Sequence, residues 1–209
     1  EMDRVRVAAR IVEASNKTII FSRTKWGADK ITGKLIDEGV TASAIHGDLR
    51  QSQREKALSD FQDGRIKCLV ATDVAARGIH VDDVDVVIHY DPPSDAKTYV
   101  HRSGRTARAG EYGVVVSLVL WDEELEIRKL LRRLGMKLPI VEVYSNDARL
   151  DDLLDFREAV PLAARPVEDK RVGAVEFSVA GEVEAAIEVR ALHLACGGIV
   201  GLCVQDVGM

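Results

Sequence analysis

The sequence predicts an α/β fold in which a mainly parallel sheet is covered by helices on both faces. Three runs, residues 66–71, 84–88 and 114–120, hold at most one polar or charged side chain each, as strands buried on both faces do. Between them stand stretches with apolar residues at three- and four-residue steps, the mark of amphipathic helices. Strand and helix patterns alternate from Lys17 to about Val143. That rhythm implies parallel strands joined by right-handed crossovers. The strand ends, and the loops after them, then gather along one edge of the sheet.

Residues 3–14 place Val5, Ala8, Ala9 and Val12 on one helical face. Residues 17–21 read as a short buried strand ended by Ser22-Arg23-Thr24. Ala28, Ile31, Leu35 and Ile36 define a second amphipathic helix, which Gly39 terminates as a residue free to take positive φ. Residues 40–45 predict a strand, His46-Gly47-Asp48 a turn, and Ala57, Leu58 and Phe61 the inner face of a third helix before Asp63-Gly64. After the apolar strands, residues 122–134 run from acidic to basic, matching a helix dipole. Residues 138–143 predict a last strand, and 150–154 a short helical turn.

Pro161 and Pro166 bracket a linker, and residues 167–209 beyond it have a different character. The expected organisation is a domain over 1–145, a linker over 146–166 and an appendage over 167–209. In the appendage, propensity predicts a strand near 175–177 and a helix over 182–195. Its apolar run from Leu192 to Val204 offers a surface through which two copies could dimerise.

Hydrophobic residues at 46% and charged residues at 30% fit a soluble globular protein. No apolar run reaches the roughly 18 residues a membrane helix requires. The start lacks a basic region followed by an apolar core, and the three cysteines are odd in number without metal-site spacing. The expectation is a cytoplasmic protein with no membrane and no metal site of its own. A net charge of −5 excludes a whole-surface grip on nucleic acid, so any such binding must be local.

The run Tyr99-Val100-His101-Arg102-Ser103-Gly104-Arg105-Thr106-Ala107-Arg108 concentrates cations among small neighbours. Planar, permanently charged guanidinium groups suit phosphoryl oxygens. Upstream stands Ala71-Thr72-Asp73-Val74-Ala75-Ala76-Arg77-Gly78, and earlier still His46-Gly47-Asp48 with Gln51 and Arg54 one helical turn apart. Gly47 lets backbone N–H groups approach an anion. A hydroxyl such as Thr24 at a strand end can cap a helix, contact a backbone phosphate, or do both. Asp73 faces the other way chemically: a carboxylate repels phosphate, so it is expected to orient its neighbours.

These blocks, with Ile19-Ile20-Phe21-Ser22-Arg23-Thr24, occur in the order seen in DEAD-box ATP-dependent RNA helicases. Residues 17–145 resemble the C-terminal RecA-like (helicase C) domain of that family, of bacterial type. The resemblance implies a RecA-like three-layer sandwich and assigns roles residue by residue. Arg105 and Arg108 would be catalytic arginine fingers and, with Gly78 and His80, would touch ATP. Thr24, Gly47, Asp48, Gln51, Arg54 and Thr72 would form the RNA-binding set. His101 and Arg102 would couple nucleotide state to an interdomain contact. One position departs from the pattern: the family carries an aspartate for the ribose hydroxyls where this chain has His80, which forfeits a charge-assisted acceptor. Asp82 or Asp83 could take that place.

The chain contains neither Gly-x-x-x-x-Gly-Lys-Ser/Thr nor Asp-Glu-Ala-Asp, the segments that cradle phosphates and hold magnesium. In the family both lie on a preceding N-terminal RecA-like domain. The resemblance therefore implies half of an enzyme, with ATP and Mg2+ bound mainly by the other half and RNA read without regard to sequence. Two other readings stand beside it: an ATP-independent RNA-binding or regulatory module, and part of a superfamily 2 DNA helicase. The spelling of the Thr72–Gly78 block and Thr106-Ala107 in the last block favour the RNA branch.

Overall fold

A computed structural model describes residues 2–77, 81, 84–106, 113–136, 140–151, 188–194 and 201–208. Five strands form the parallel sheet: β1 (Thr18–Ser22), β2 (Ala42–Ile45), β3 (Cys68–Thr72), β4 (Val86–His89) and β5 (Gly113–Val119). Their order is β2-β3-β1-β4-β5. α1 (Met2–Glu13) leads into β1, and the crossovers are α2 (Lys25–Asp37), α3 (Gln51–Gln62), the single turn α4 (Asp73–Ala76) and α5 (Ala96–Ser103). After β5 come α6 (Glu124–Arg133), β6 (Val141–Glu142) and a 3-10 turn at Ala148–Leu150. The predicted class is thus observed, and strand ends differ from expectation by at most three residues.

Side-chain alternation sorts the core into layers. Ile20, Val70, Ile88 and Val116 face α1 and α2, while Ile19, Phe21, Leu69, Ala71, Val87 and Val115 face α3 and α4. Val119, on the second face by the same alternation, packs with Tyr99 of α5 and with Ile127, Leu130 and Leu131 of α6. Gly39 takes φ 91° just after α2, the backbone that closes a helix most readily without a Cβ.

Two helix faces depart from the periodic reading. Ile36, expected inside, is exposed, and Thr32 takes its place among the buried residues of α2. In α1 the buried set extends past the predicted stripe to Val7, Ile11 and Arg4. Arg4 donates from Nη2 to Leu118 O at 2.8 Å and lies over the Tyr90 ring. α1 is therefore fixed to the ends of β4 and β5 as well as to the sheet face.

The predicted helix over 182–195 is corrected: β7 (Glu188–Leu194) is a strand. It pairs antiparallel with β8 (Gly201–Gly208) over seven positions, Glu188↔Gly208 to Leu194↔Leu202. β8 in turn pairs antiparallel with β5, Gly113↔Val207 to Val119↔Gly201. Ladder partners satisfied the backbone there and overrode local helix propensity. The strand expected near 175–177 lies outside the described residues. Within the stretch read as a linker, Leu150 is fully buried and Arg10 on α1 donates to Ser145 O at 2.9 Å and pairs with Asp151. No described helix is long and apolar enough to cross a membrane.

Candidate functional site

Parallel register brings the motif blocks to one edge. Ser22 sits level with Thr72, Phe21 with both Ala71 and His89, and Ile45 with Ala71. The loops that leave these strand ends carry Thr24, Gly47-Asp48 and Thr72-Asp73, so residues distant in sequence become neighbours.

Thr24 caps α2: its Oγ1 accepts from Gly27 N at 2.9 Å. The capping bond uses a lone pair and leaves the O–H proton to donate outward, so one exposed hydroxyl can serve helix and ligand together. Gly27 must be small here, because a Cβ would stand 2.6 Å from Ser22 Oγ and 2.8 Å from Thr24 Oγ1. Thr72, at the start of α4, makes no capping bond with its side chain.

Gly47 and Asp48 are exposed. The Asp48 carboxylate pairs with Lys25 at the start of α2, and that hydrogen bond holds it below its ordinary range. His46 behind them is buried, with Nε2 2.9 Å from Asp29 Oδ1 and Nδ1 without a partner. Gln51 spends its amide on Glu55, 2.8 Å away on the next turn, and so is aimed along α3. Arg54, half-buried, keeps a buried Nε without a partner.

Arg102 is 3% exposed. Its Nε and Nη2 donate to Asp73 Oδ1 and Oδ2 at 2.7 and 2.9 Å, and Nη1 donates to Asp91 O at 2.7 Å. It also lies over the Phe21 ring, 5.1 Å from its centroid. The coupling role expected of Arg102 can therefore run only through this brace, since the guanidinium itself is enclosed. Asp73 orients a neighbour, as its chemistry predicts. His101, the adjacent expected coupler, is exposed.

Asp91 was not singled out by sequence. Its carboxylate accepts from Ser22 Oγ at 3.1 Å and from Arg23 N at 2.7 Å, while its carbonyl receives Arg102. The available signal was its place, directly after an apolar strand and before Pro92-Pro93. It ties the loop after β1 to α5.

Beside this brace lies a shallow depression over Phe21 and Ala76, ringed by Arg77, His101 and Arg105. Its one carboxylate, Asp73, is already matched by Arg102. The ring of cationic and imidazole donors suits phosphoryl oxygens. Gly78, His80 and Arg108 lie outside the described residues, as do Asp82 and Asp83. Behind the depression His89 is fully buried, with Nδ1 3.1 Å from Ser117 Oγ and its ring edge-on to Tyr99 at 4.9 Å. Burial, and then the Arg102 charge, hold its imidazole well below the ordinary range, so it is neutral. Among the described residues, no three His, Cys, Asp or Glu gather as metal ligands.

The Helicase conserved C-terminal domain model matches residues 3–110. The chain is 53% identical over 123 residues to an ATP-dependent rRNA helicase RRP3 of Eremothecium gossypii, covering 58% of this chain and 25% of that protein. Its fold is similar to the C-terminal domain of the DEAD-box protein Dbp5, with TM-score 0.58 and 37% identity over 65% of this chain and 80% of that one. It is likewise similar to S. cerevisiae Dbp5 bound to RNA and ADP BeF3, with TM-score 0.58 and 35% identity over 63% of this chain and 36% of that one. The chain spans about a quarter of the length of the curated relatives it matches.

Proposed function

Because this chain belongs to the helicase conserved C-terminal domain family of DEAD-box RNA helicases, we propose that it is the C-terminal half of an ATP-dependent RNA helicase, with residues 1–145 as its working body. One observation carries the reading: Thr24, Gly47, Asp48 and Thr72 follow strand ends on the edge where Arg77, His101 and Arg105 surround a depression. RNA phosphates and a nucleotide triphosphate can then meet one continuous, donor-lined edge.

In this reading Thr24 and Thr72 offer hydroxyl donors to the RNA backbone, with the Gly47-Asp48 turn and Arg54 alongside. Gln51 joins them by giving up its bond to Glu55. Binding of this kind addresses phosphates and 2′-hydroxyls and is indifferent to base sequence. Arg105 and Arg108 are the guanidinium pair for the terminal phosphate of ATP, which a preceding RecA-like domain holds mainly, together with Mg2+. Gly78 and His80 complete the nucleotide contacts from this side. When bound, ATP supplies the free energy of hydrolysis, and arginine fingers contribute on the order of 10³–10⁵ to such rates. The Asp73–Arg102 brace keeps Arg77, His101 and Arg105 in fixed relation, so closure against the other domain delivers them as a set. Residues 146–166, packed onto the domain at Leu150, are proposed as a linker to an appendage over 167–209 that adds β8 beside β5 and is able to support dimers. The proposed compartment is the cytoplasm.

The test is reconstitution. The chain alone is expected to show no ATP hydrolysis, and mixing it with a phosphate-binding-loop domain of a DEAD-box relative to give turnover stimulated by single-stranded RNA over DNA. Hydrolysis by the chain alone would overturn this division of labour.

A further inference from the structure

Trp26 stands two residues after Thr24, in the first turn of α2, and is 71% exposed. The helix packs through Ala28, Ile31, Thr32 and Leu35, so the indole lies on the outer face and is spared from the core. Its ring is not bare: Lys30 Nζ, one turn on, sits 5.0 Å from the ring centroid. A cation held there steadies the plate, and most of the side chain stays open to solvent. Arg23 and Lys25 flank it with exposed side chains. Facing these cations are three carboxylates, each with a partner: Asp29 with His46, Asp48 with Lys25, and Glu123 with Arg4 and Arg23. The surroundings are those of an exposed aromatic plate among paired charges, with Lys30 against its ring, next to the hydroxyl assigned to an RNA phosphate.

We propose that Trp26 is a stacking platform for one nucleobase of the RNA strand whose backbone meets Thr24, with Lys30 as its cationic backing. This assignment rests on the RNA reading above and adds to it a contact with a base. Every base presents a π-face, so an indole grips the strand without selecting sequence. An adjacent hydroxyl for the phosphate and a plate for its base together fix one nucleotide at two points, which hydroxyl contacts alone do not.

The experiment uses the full chain carrying Trp121→Phe, so that Trp26 is the sole fluorophore of the two tryptophans. It is titrated at low salt with an end-labelled oligouridylate and with an end-labelled abasic oligoribonucleotide of the same length, affinity being read from the anisotropy of the label and stacking from Trp26 emission. Expected are quenching of Trp26 emission by the base-bearing strand only, and weaker binding of the abasic strand. Trp26→Ala should lose about fivefold or more in affinity for the base-bearing strand, and Trp26→Phe should retain most of it. Trp26→Ala should leave abasic binding and the salt slope unchanged, since no phosphate contact is removed. Equal binding of both strands with constant emission would overturn the platform while the RNA reading stands. Failure of both strands to bind with any salt dependence would overturn both.

Discussion

Asp73 and Arg102 form a two-pronged ion pair, at 2.7 and 2.9 Å, that fastens the end of β3 to the last turn of α5 across 29 positions of chain. Two blocks that look like separate motifs are thereby one mechanical piece. Asp91 extends that piece to the loop after β1. A carboxylate on the surface proposed to meet phosphate is thus accounted for: it is spent on the arginine behind it.

Replacing Asp73 by Asn should be costly. It leaves the Arg102 guanidinium buried, with the Asp91 carbonyl in place but no counter-charge, and breaking one side of a buried pair costs on the order of 3–5 kcal/mol. Arg102→Lys should be damaging too, because an ammonium cannot span both carboxylate oxygens and the carbonyl. Urea unfolding measures both, and a midpoint equal to the parent for Asp73→Asn would refute the brace.

The observed cap of Thr24 and its proposed RNA contact can be separated by substitution. Thr24→Asp keeps a good helix cap but sets a negative charge toward phosphate. Thr24→Val removes cap and donor together and should cost about 1 kcal/mol. RNA titration beside thermal unfolding should show Thr24→Asp with parent-like stability and lost RNA affinity, and Thr24→Val defective in both. An Asp variant that binds RNA as the parent does would remove Thr24 from the RNA-facing set.

In the reconstituted two-domain enzyme, Arg105→Lys should lower kcat by about 10³ or more, the lower range for a lost arginine finger. RNA affinity of the chain should stay at the parental level. A matching fall in RNA affinity would place Arg105 on the wrong ligand.

His89 gives a pH signature. The unfolded chain takes up a proton near the ordinary value of 6.5, whereas the folded imidazole, buried and beside Arg102, resists it. Its contribution is complete above that value and is lost as pH falls below it, at up to about 1.4 kcal/mol per pH unit. The loss levels off once the folded imidazole itself protonates. His89→Phe, which keeps a ring against Tyr99, should flatten this part of the curve between about pH 5 and 6.5. Parallel curves for parent and variant would show that His89 is not the group responsible.

The edge-on His89–Tyr99 contact illustrates what the one-dimensional pattern leaves out. Apolar runs identify buried strands because both faces of each are covered, and that holds whatever the partners are. The same economy made the turns after β1, β2 and β3 legible as one edge, since parallel order alone puts them there. Periodicity failed where a face met something unforeseen. Val7 and Ile11 are buried because α1 is enclosed on more than one side, and Ile36 is exposed because none of the described residues covers the end of α2 where it stands.

By itself the sequence determined the parallel α/β layout and the family resemblance, and it nominated Thr24, Thr72, Asp73 and Arg105 as candidates for chemistry. These depend on local composition, spacing and order, which a chain carries unfolded. Only the tertiary structure decided that Arg102 is a brace, that Asp91 joins it, that Lys25 holds Asp48, and that residues 188–194 run as a strand. Each depends on a partner brought close by folding, and a charge or a backbone amide has no assigned partner until the chain is folded around it.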